Sequence, residues 1–435
     1  MFHQAITRKM ALLTAVFLLI LVQPIYATPQ AELLLEGEID GANYRIRVPD
    51  GWDGQTLVVY AHGYRDKADQ PGQTDDHTAE AAPGGNAGED AFLAAGYAIA
   101  GSAYKDNGWA VGEGIEDTRA LVQFFNQEVG AAQQTILLGG SMGGLIALAS
   151  GERYPDVYDG VVALCPPAAG APMSWDGALV FALAYDVAFG WPQSWGSVAD
   201  VRDDISFQGE VVGPVFAQTL NPANRGKFEF IRLVTGITDK EFMSGNNWLF
   251  VNMFYATEAR AELERRAGGA PTQNRNHIYR LSTADKQYLA TLNVDAEALL
   301  GEMNGRSTIT ANPTARAYVE ANASLTGELP LPVFTAHTSD DGLVPVNHEA
   351  VYRDQVAAAG SADNLFQVYT DSVGHCSFTA EQVELVLAEL LQWVVSGERP
   401  LITPFTPSLG FLPDFTPPGW PVDFKQFIHL PIIRS

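Results

Sequence analysis

The stretch TILLGGSMGGLIALAS, residues 135–150, joins two apolar runs through a glycine cluster built around Ser141. The first run reads as a buried strand. The second, extended as GGLIALASGERYP, reads as a helix that Pro155 ends. Between them, Gly139-Gly140-Ser141-Met142-Gly143 fits the pattern G-x-S-x-G. In a turn this sharp the serine backbone is strained, and glycines two before and two after it remove side chains that would collide. The hydroxyl is lifted clear of the sheet, at the N-terminus of a helix whose dipole favours nearby negative charge. The pentapeptide by itself also describes an ordinary tight turn, so the decision rests on its surroundings.

Upstream, AELLLEGEID and ANYRIRVPD alternate like two strands joined by a turn near Gly41. TLVVYAHGY is an apolar strand running into His62-Gly63. Residues 65–90 read as a polar loop, followed by a helix-like AFLAAG and an apolar strand YAIAGSAY. IEDTRALVQFFNQEV has helical spacing, and GVVALCPP is another buried strand. Strands alternating with helices, several apolar on both faces, predict an α/β chain with a mostly parallel central sheet flanked by helices.

From 167 to 329 the alternation stops. This segment is rich in aromatics, including Trp175, Trp191, Trp195, Phe216, Phe230, Trp248, Phe250 and Phe254, which read first as the core of a subdomain. Alternation resumes with a strand LPVFTAHTSD, a helix VPVNHEAVYRDQVAAAG and a strand NLFQVYTDS. A final helix starts at Thr379, where Thr379 and Gln382 form a capping box. Val383, Val386, Leu387, Leu390 and Val394 make its apolar face, and Gly397 suits its end. Residues 401–435, crowded with prolines and aromatics, read as an extended tail over the surface, with an apolar end FIHLPIIRS able to dock on the body or on a partner.

A reacting serine needs a base. The chain has eight histidines: His3, His62, His77, His277, His337, His348, His375 and His429. The order serine, acid, histidine that accompanies this motif leaves those that follow a candidate acid. His375, in DSVGHCSF, lies between the last apolar strand and the last helix, where a loop can fold back over the serine. His348 falls inside a helix and reads as a surface or capping residue, and His429 lies in the tail. For the acid, TAHTSDDGLVP offers Asp340 and Asp341. Asp341, in D-x-x-V-P, is the preferred partner, to fix the His375 tautomer and stabilise its imidazolium, with Asp340 bonding the turn. An oxyanion needs two backbone N–H groups. Met142 supplies one and Tyr64, in AHGY, the other, with Gly63 allowing close approach and the Tyr64 ring lining an acyl pocket. His62 reads as a brace for that loop.

AHGY, GGSMGG, SDDGLVP and GHCSF, in this order and on these elements, resemble the α/β-hydrolase superfamily over about 30–170 and 330–397. The resemblance implies a catalytic α/β domain formed by 28–166 and 330–400. It also implies a large, mainly helical cap or lid, 167–329, inserted after the sixth strand. The aromatic segment and the GHC element look like secreted bacterial carboxylesterases, including feruloyl-esterase and tannase-like enzymes. Tannase-like enzymes usually pair a cysteine beside the serine with one beside the histidine, whereas Gly140 and Met142 flank Ser141. The implied activity is a serine hydrolase that cleaves small-molecule or polymer-derived carboxylic esters through an acyl-enzyme. Ser141 would be nucleophile, His375 base and then acid, and Asp341 orienter, with no metal or organic cofactor. The rival is an aminopeptidase-like peptidase or amidase, which must recognise a peptide terminus, for example through cap acids such as Asp186 and Glu229. A non-catalytic binding protein on the same fold is a third reading, against which the complete nucleophile–acid–base set stands.

The two cysteines, Cys165 after the GVVAL strand and Cys376 beside His375, are both expected at the C-terminal edge of the sheet. Their pairing would tether the histidine loop; the competing expectation is two buried free thiols. Two cysteines alone cannot make a structural zinc site.

A chain of 435 residues accommodates one large domain with an insertion, or two domains, and 47% hydrophobic residues exclude disorder. A formal charge of −25 excludes nucleic acid as a partner, because phosphate backbones repel it. Residues 1–27 read as a signal peptide: Arg8 and Lys9, the apolar core Met10–Val22, Pro24, and a cut after Ala27. An uncleaved N-terminal anchor is the competing reading, and no other stretch is apolar and long enough to span a bilayer. The expected location is therefore secreted, periplasmic or cell-surface. Asp75, Asp76, His77 and Glu80 read as a solvated acidic loop rather than a cation site. The sequon at Asn322 and the oligomeric state decide nothing.

Overall fold

The computed structural model describes residues 32–238, 248–420 and 422–423. The signal-peptide reading of 1–27 and the tail end FIHLPIIRS lie outside the described residues. The centre is an eight-stranded sheet: β1 (Leu33–Ile39), β2 (Ala42–Val48), β3 (Thr56–Ala61), β4 (Ala98–Ser102), β5 (Gln134–Gly140), β6 (Gly160–Leu164), β7 (Val333–Asp340) and β8 (Leu365–Val373). Its order is β1-β2-β4-β3-β5-β6-β7-β8. β1 and β2 form an antiparallel hairpin, β2 is antiparallel to β4, and every pairing from β4 onward is parallel.

The central strands are apolar on both faces because both faces are covered. Leu57 and Val59 of β3 pack under α2 (Val111–Glu128), α3 (Met142–Arg153) and α12 (Asn347–Ala358). Val58 points the other way, into the layer formed by α1 (Gly85–Ala94) and α13 (Ala380–Ser396). α13 opens on the Thr379/Gln382 capping box and closes on Gly397 in the left-handed region. Residues 65–90 are not all loop, since α1 begins at Gly85. Its polar sequence conceals Glu89, which is fully buried, accepts the Ala81 N–H and pairs with Arg45 and Arg47.

Between β6 and β7 the chain is helical: α4 (Ala171–Phe189), α5 (Val212–Thr219), α6 (Arg225–Thr235), α7 (Trp248–Ala256), α8 (Glu258–Ala267), α9 (Thr283–Thr291), α10 (Ala296–Gly305) and α11 (Pro313–Ala323). These helices close on a core of their own around Phe181, Tyr185, Trp195, Phe230 and Trp248. Three aromatics depart from the expected subdomain core. Trp175 joins the main core, Phe254 packs against that core, and Phe216 is exposed.

The tail does more than cover the surface. Phe405 and Phe411 are buried against the α13 layer, and Phe411 bridges Thr370 at the sheet edge. Farther on, Val422–Asp423 pairs antiparallel with Ile278–Tyr279 of the helical segment. Among the described residues no helix is long and apolar enough to cross a membrane.

Candidate active site

Three C-terminal strand ends build the site. β5 ends at Gly140, and Ser141 follows with φ 57° and ψ −124°, a strained left-handed conformation. Its N–H donates to Leu164 O, which locks the turn to β6. A Cβ on Gly139 would sit 2.0 Å from Gly143 O, and one on Gly143 would sit 2.0 Å from Ala61 O. Both glycines are therefore sterically required. Gly140 has open space at its Cβ position.

β7 ends in a register irregularity between Thr338 and Asp340, and Asp341 follows. Asp341 is fully buried; its Oδ1 accepts the N–H groups of Leu343 (2.8 Å) and Val344 (2.9 Å). β8 leads into His375, whose loop is held to β7 by Gly374 N–H on Asp340 O and Thr338 Oγ1 on Gly374 O. His375 Nδ1 stands 2.7 Å from Asp341 Oδ2, and His375 Nε2 stands 2.7 Å from Ser141 Oγ. Burial pushes the Asp341 carboxyl up, but His375, His337 and the backbone donor outweigh it and hold it below the usual carboxylate range. An ionised Asp341 accepts a hydrogen bond from Nδ1–H, which keeps the proton on Nδ1 and leaves Nε2 to accept from the serine hydroxyl.

Cys165 and Cys376 are bonded, with Cα atoms 5.4 Å apart, so the residue after His375 is joined to the end of β6. The free-thiol expectation does not hold.

Met142 is the first residue of α3 and is buried beside Ser141. Gly63 lies against the serine: a Cβ there would come within 3.4 Å of Ser141 Cβ. That puts the Gly63 backbone beside Ser141. The Tyr64 ring is not among the described cleft-lining residues; it packs edge-on against Tyr255 and Phe254, and its hydroxyl donates to Gln70. Tyr255 lines the cleft in its place. His62 is stacked on Tyr104 at 3.9 Å, its Nδ1 2.7 Å from Gly63 O, and burial holds it down at about 4, so it stays neutral.

Ser141 opens into a cleft of about 760 Å³, part of it solvent-facing. Trp109, Trp175, Phe181, Ile237, Tyr255 and Leu343 are among its apolar lining residues, and no Asp, Glu, Lys or Arg is among the described lining residues. His348 and Trp420 also line it. His348 lies in a helix but is neither exposed nor a cap. It is buried, and its Nδ1 accepts the Ala169 N–H. Asp186 and Glu229 are spent elsewhere: Asp186 pairs with Arg306, and Glu229 with Arg232. Asp75 and Asp76 accept N–H groups of their own loop, and Glu80 pairs with Arg65.

The sheet order, the serine turn after β5, the acid after β7 and the histidine after β8 form one pattern. A family model described as serine aminopeptidase, S33, also matches residues 110–199, which span α2, the turn and α3. The fold is that of an α/β-hydrolase. A curated relative, the o-phthalyl amidase of Xanthobacter agilis, is 22% identical over 417 residues, covering 84% of this chain and 88% of its own. Among solved structures, feruloyl esterase B from Aspergillus oryzae is 15% identical with a TM-score of 0.42, covering 85% of this chain and 80% of its own. A Pyrococcus furiosus esterase is 13% identical with a TM-score of 0.39, covering 85% of this chain and 92% of its own. The α/β-hydrolase fold and the matched segment around Ser141 mark a hydrolase.

Proposed function

We propose that the protein is an exported serine hydrolase of carboxylic esters. Ser141 Oγ attacks the carbonyl while His375 Nε2 takes its proton, and Asp341 holds the imidazole and stabilises the imidazolium. The N–H groups of Met142 and Tyr64 bind the oxyanion. His375 returns the proton to the leaving alkoxide, and water repeats the sequence on the acyl-enzyme. Residues 167–329 act as the cap that shapes the substrate cleft. What carries the reading is the pair of 2.7 Å contacts that link Asp341 and His375 to Ser141, which lines a mostly apolar cleft. Support for export comes from the apolar run Met10–Val22 and from the disulfide, which persists in oxidising compartments.

The amidase reading stands second, on the relative that hydrolyses an amide. An aminopeptidase has less support, because a free α-ammonium would meet no acidic side chain among the described lining residues. The test compares p-nitrophenyl esters with acyl- and aminoacyl-p-nitroanilides, alongside a fluorophosphonate probe. Ester turnover with probe labelling lost in Ser141→Ala is the expected result. Anilide turnover exceeding ester turnover would replace the ester reading, and no labelling of the folded protein would end both.

A further inference from the structure

His348 takes no part in the contacts between Ser141, His375 and Asp341, yet it stands in the wall of the same cleft. It is the second residue of α12 and only 3% exposed. The backbone N–H of Ala169 donates to its Nδ1 at 3.3 Å. A nitrogen that accepts carries no proton, so the neutral ring carries its hydrogen on Nε2. Burial, with His337 close by, drives the imidazole down to about 3, so the ring is uncharged throughout the neutral range.

The orientation is fixed from two sides. Trp420 stands edge-on to the imidazole, centroids 4.8 Å apart at 77°. The neighbouring Asn347 Nδ2 donates to Gly419 O at 2.7 Å and so ties this helix start to the tail segment that carries Trp420. With Nδ1 taken by the Ala169 N–H, Nε2 is the ring nitrogen left for a ligand, and the residue lines the cleft. For a ring so nearly buried, the surface it keeps is the cleft. The result is an oriented, uncharged donor in a wall that is mostly aromatic and aliphatic. Such a donor favours ligands that bring an acceptor and disfavours those that leave it unmatched.

We propose that His348 is a specificity-determining residue whose Nε2–H donates to an uncharged oxygen, an ether, hydroxyl or carbonyl, on the apolar group held in the cleft. The inference rests on the ester-hydrolase reading of Ser141 and names the kind of group that site selects.

The experiment measures kcat and KM for p-nitrophenyl cinnamate and its 2-, 3- and 4-methoxy isomers, with wild type, His348→Phe and His348→Gln. The electronic effect of each methoxy group is common to all three proteins and cancels when substituted-to-unsubstituted ratios are compared. For at least one isomer the kcat/KM ratio falls by about tenfold in His348→Phe, mainly through KM, and recovers in part in His348→Gln, whose amide still donates. Ratios unchanged for every isomer, or an equal loss on all four esters, overturn the proposal in favour of a structural His348. If His348→Phe does not fold, the same ratios in His348→Gln and His348→Leu decide it. Fluorophosphonate labelling of wild type separates the two levels. Labelling with unchanged ratios defeats His348 alone, whereas no labelling defeats the hydrolase reading and this inference with it.

Discussion

Cys376, the residue that follows His375, is covalently joined to Cys165 at the end of β6, 211 positions earlier. Both residues have positive φ, 54° and 43°, so each lies in a tight, left-handed bend. The bond fixes the histidine loop to the strand whose Leu164 O already anchors the Ser141 N–H. Geometry between base and nucleophile therefore depends on it. The unreduced, unfolded protein will show no free thiol by titration, and reduction will release two. Closing a loop of this length contributes about 5 kcal/mol in the chain-entropy view, and measured effects are often smaller. Cys376→Ala with Cys165→Ala will lower stability by about 2–5 kcal/mol in denaturant unfolding and will lower kcat in the folded protein. Unaltered kcat would show that the loop holds its place without the tether.

Asp341 uses each oxygen differently: Oδ1 takes two backbone N–H groups, and Oδ2 faces His375 Nδ1. In Asp341→Asn the amide oxygen can keep the backbone bonds while the NH₂ group turns to Nδ1. His375 must then accept at Nδ1 and carry its proton on Nε2, where it cannot receive the serine proton. The expected result is a folded protein with kcat down by about 10⁴-fold and KM little changed. Steady-state kinetics with circular dichroism checks it, and a loss below a hundredfold would remove Asp341 from the proposed role.

Much of this arrangement was legible because it follows strand ends. β3, β5 and β6 announce themselves as short apolar runs, Ser141 and Asp341 come directly after a strand, and His375 follows one after a single glycine. The glycine spacing around Ser141 carried real steric content, as the Gly139 and Gly143 clearances demonstrate. What stayed hidden depends on burial that polar letters disguise. The first part of α1, up to residue 90, looked like loop because buried Glu89 is paired with Arg45 and Arg47. In α8, Glu258, Arg260, Glu262 and Glu264 are all buried, in a sequence with the charge pattern of a solvated face. His348 and Trp420 are far apart in sequence, and no local pattern marks either as part of one cleft wall.

Trp420 comes from the proline-rich tail yet lines the cleft, with its Cζ2 3.9 Å from where a Cβ on Gly177 would lie. Removing the ring deletes apolar contact area on one wall while leaving Ser141, His375 and Asp341 untouched. Trp420→Ala will raise KM for a bulky aryl ester about tenfold more than KM for the acetate ester of the same alcohol. Parallel changes on both esters would mean that the tail shapes the fold and not the cleft.

Glu349 lies fully buried in α12, accepting from Thr335 Oγ1 and Gln367 Nε2 and with no cation paired to it among the described residues. Burial raises its carboxyl from 4.5 to about 7. Between those two values the folded protein keeps a proton that the unfolded chain has lost. Stability therefore falls as pH rises through this window, by about 1.4 kcal/mol per pH unit from this group alone, and its contribution levels off below 4.5 and above 7. Glu349→Gln keeps a neutral side chain of the same shape at every pH. Urea unfolding from pH 4.5 to 7.5 will show the downward slope in wild type, and the variant will lose that share of it. Equal slopes in the two proteins would mean that Glu349 is ionised in the fold, with its charge carried by the Thr335 and Gln367 donors.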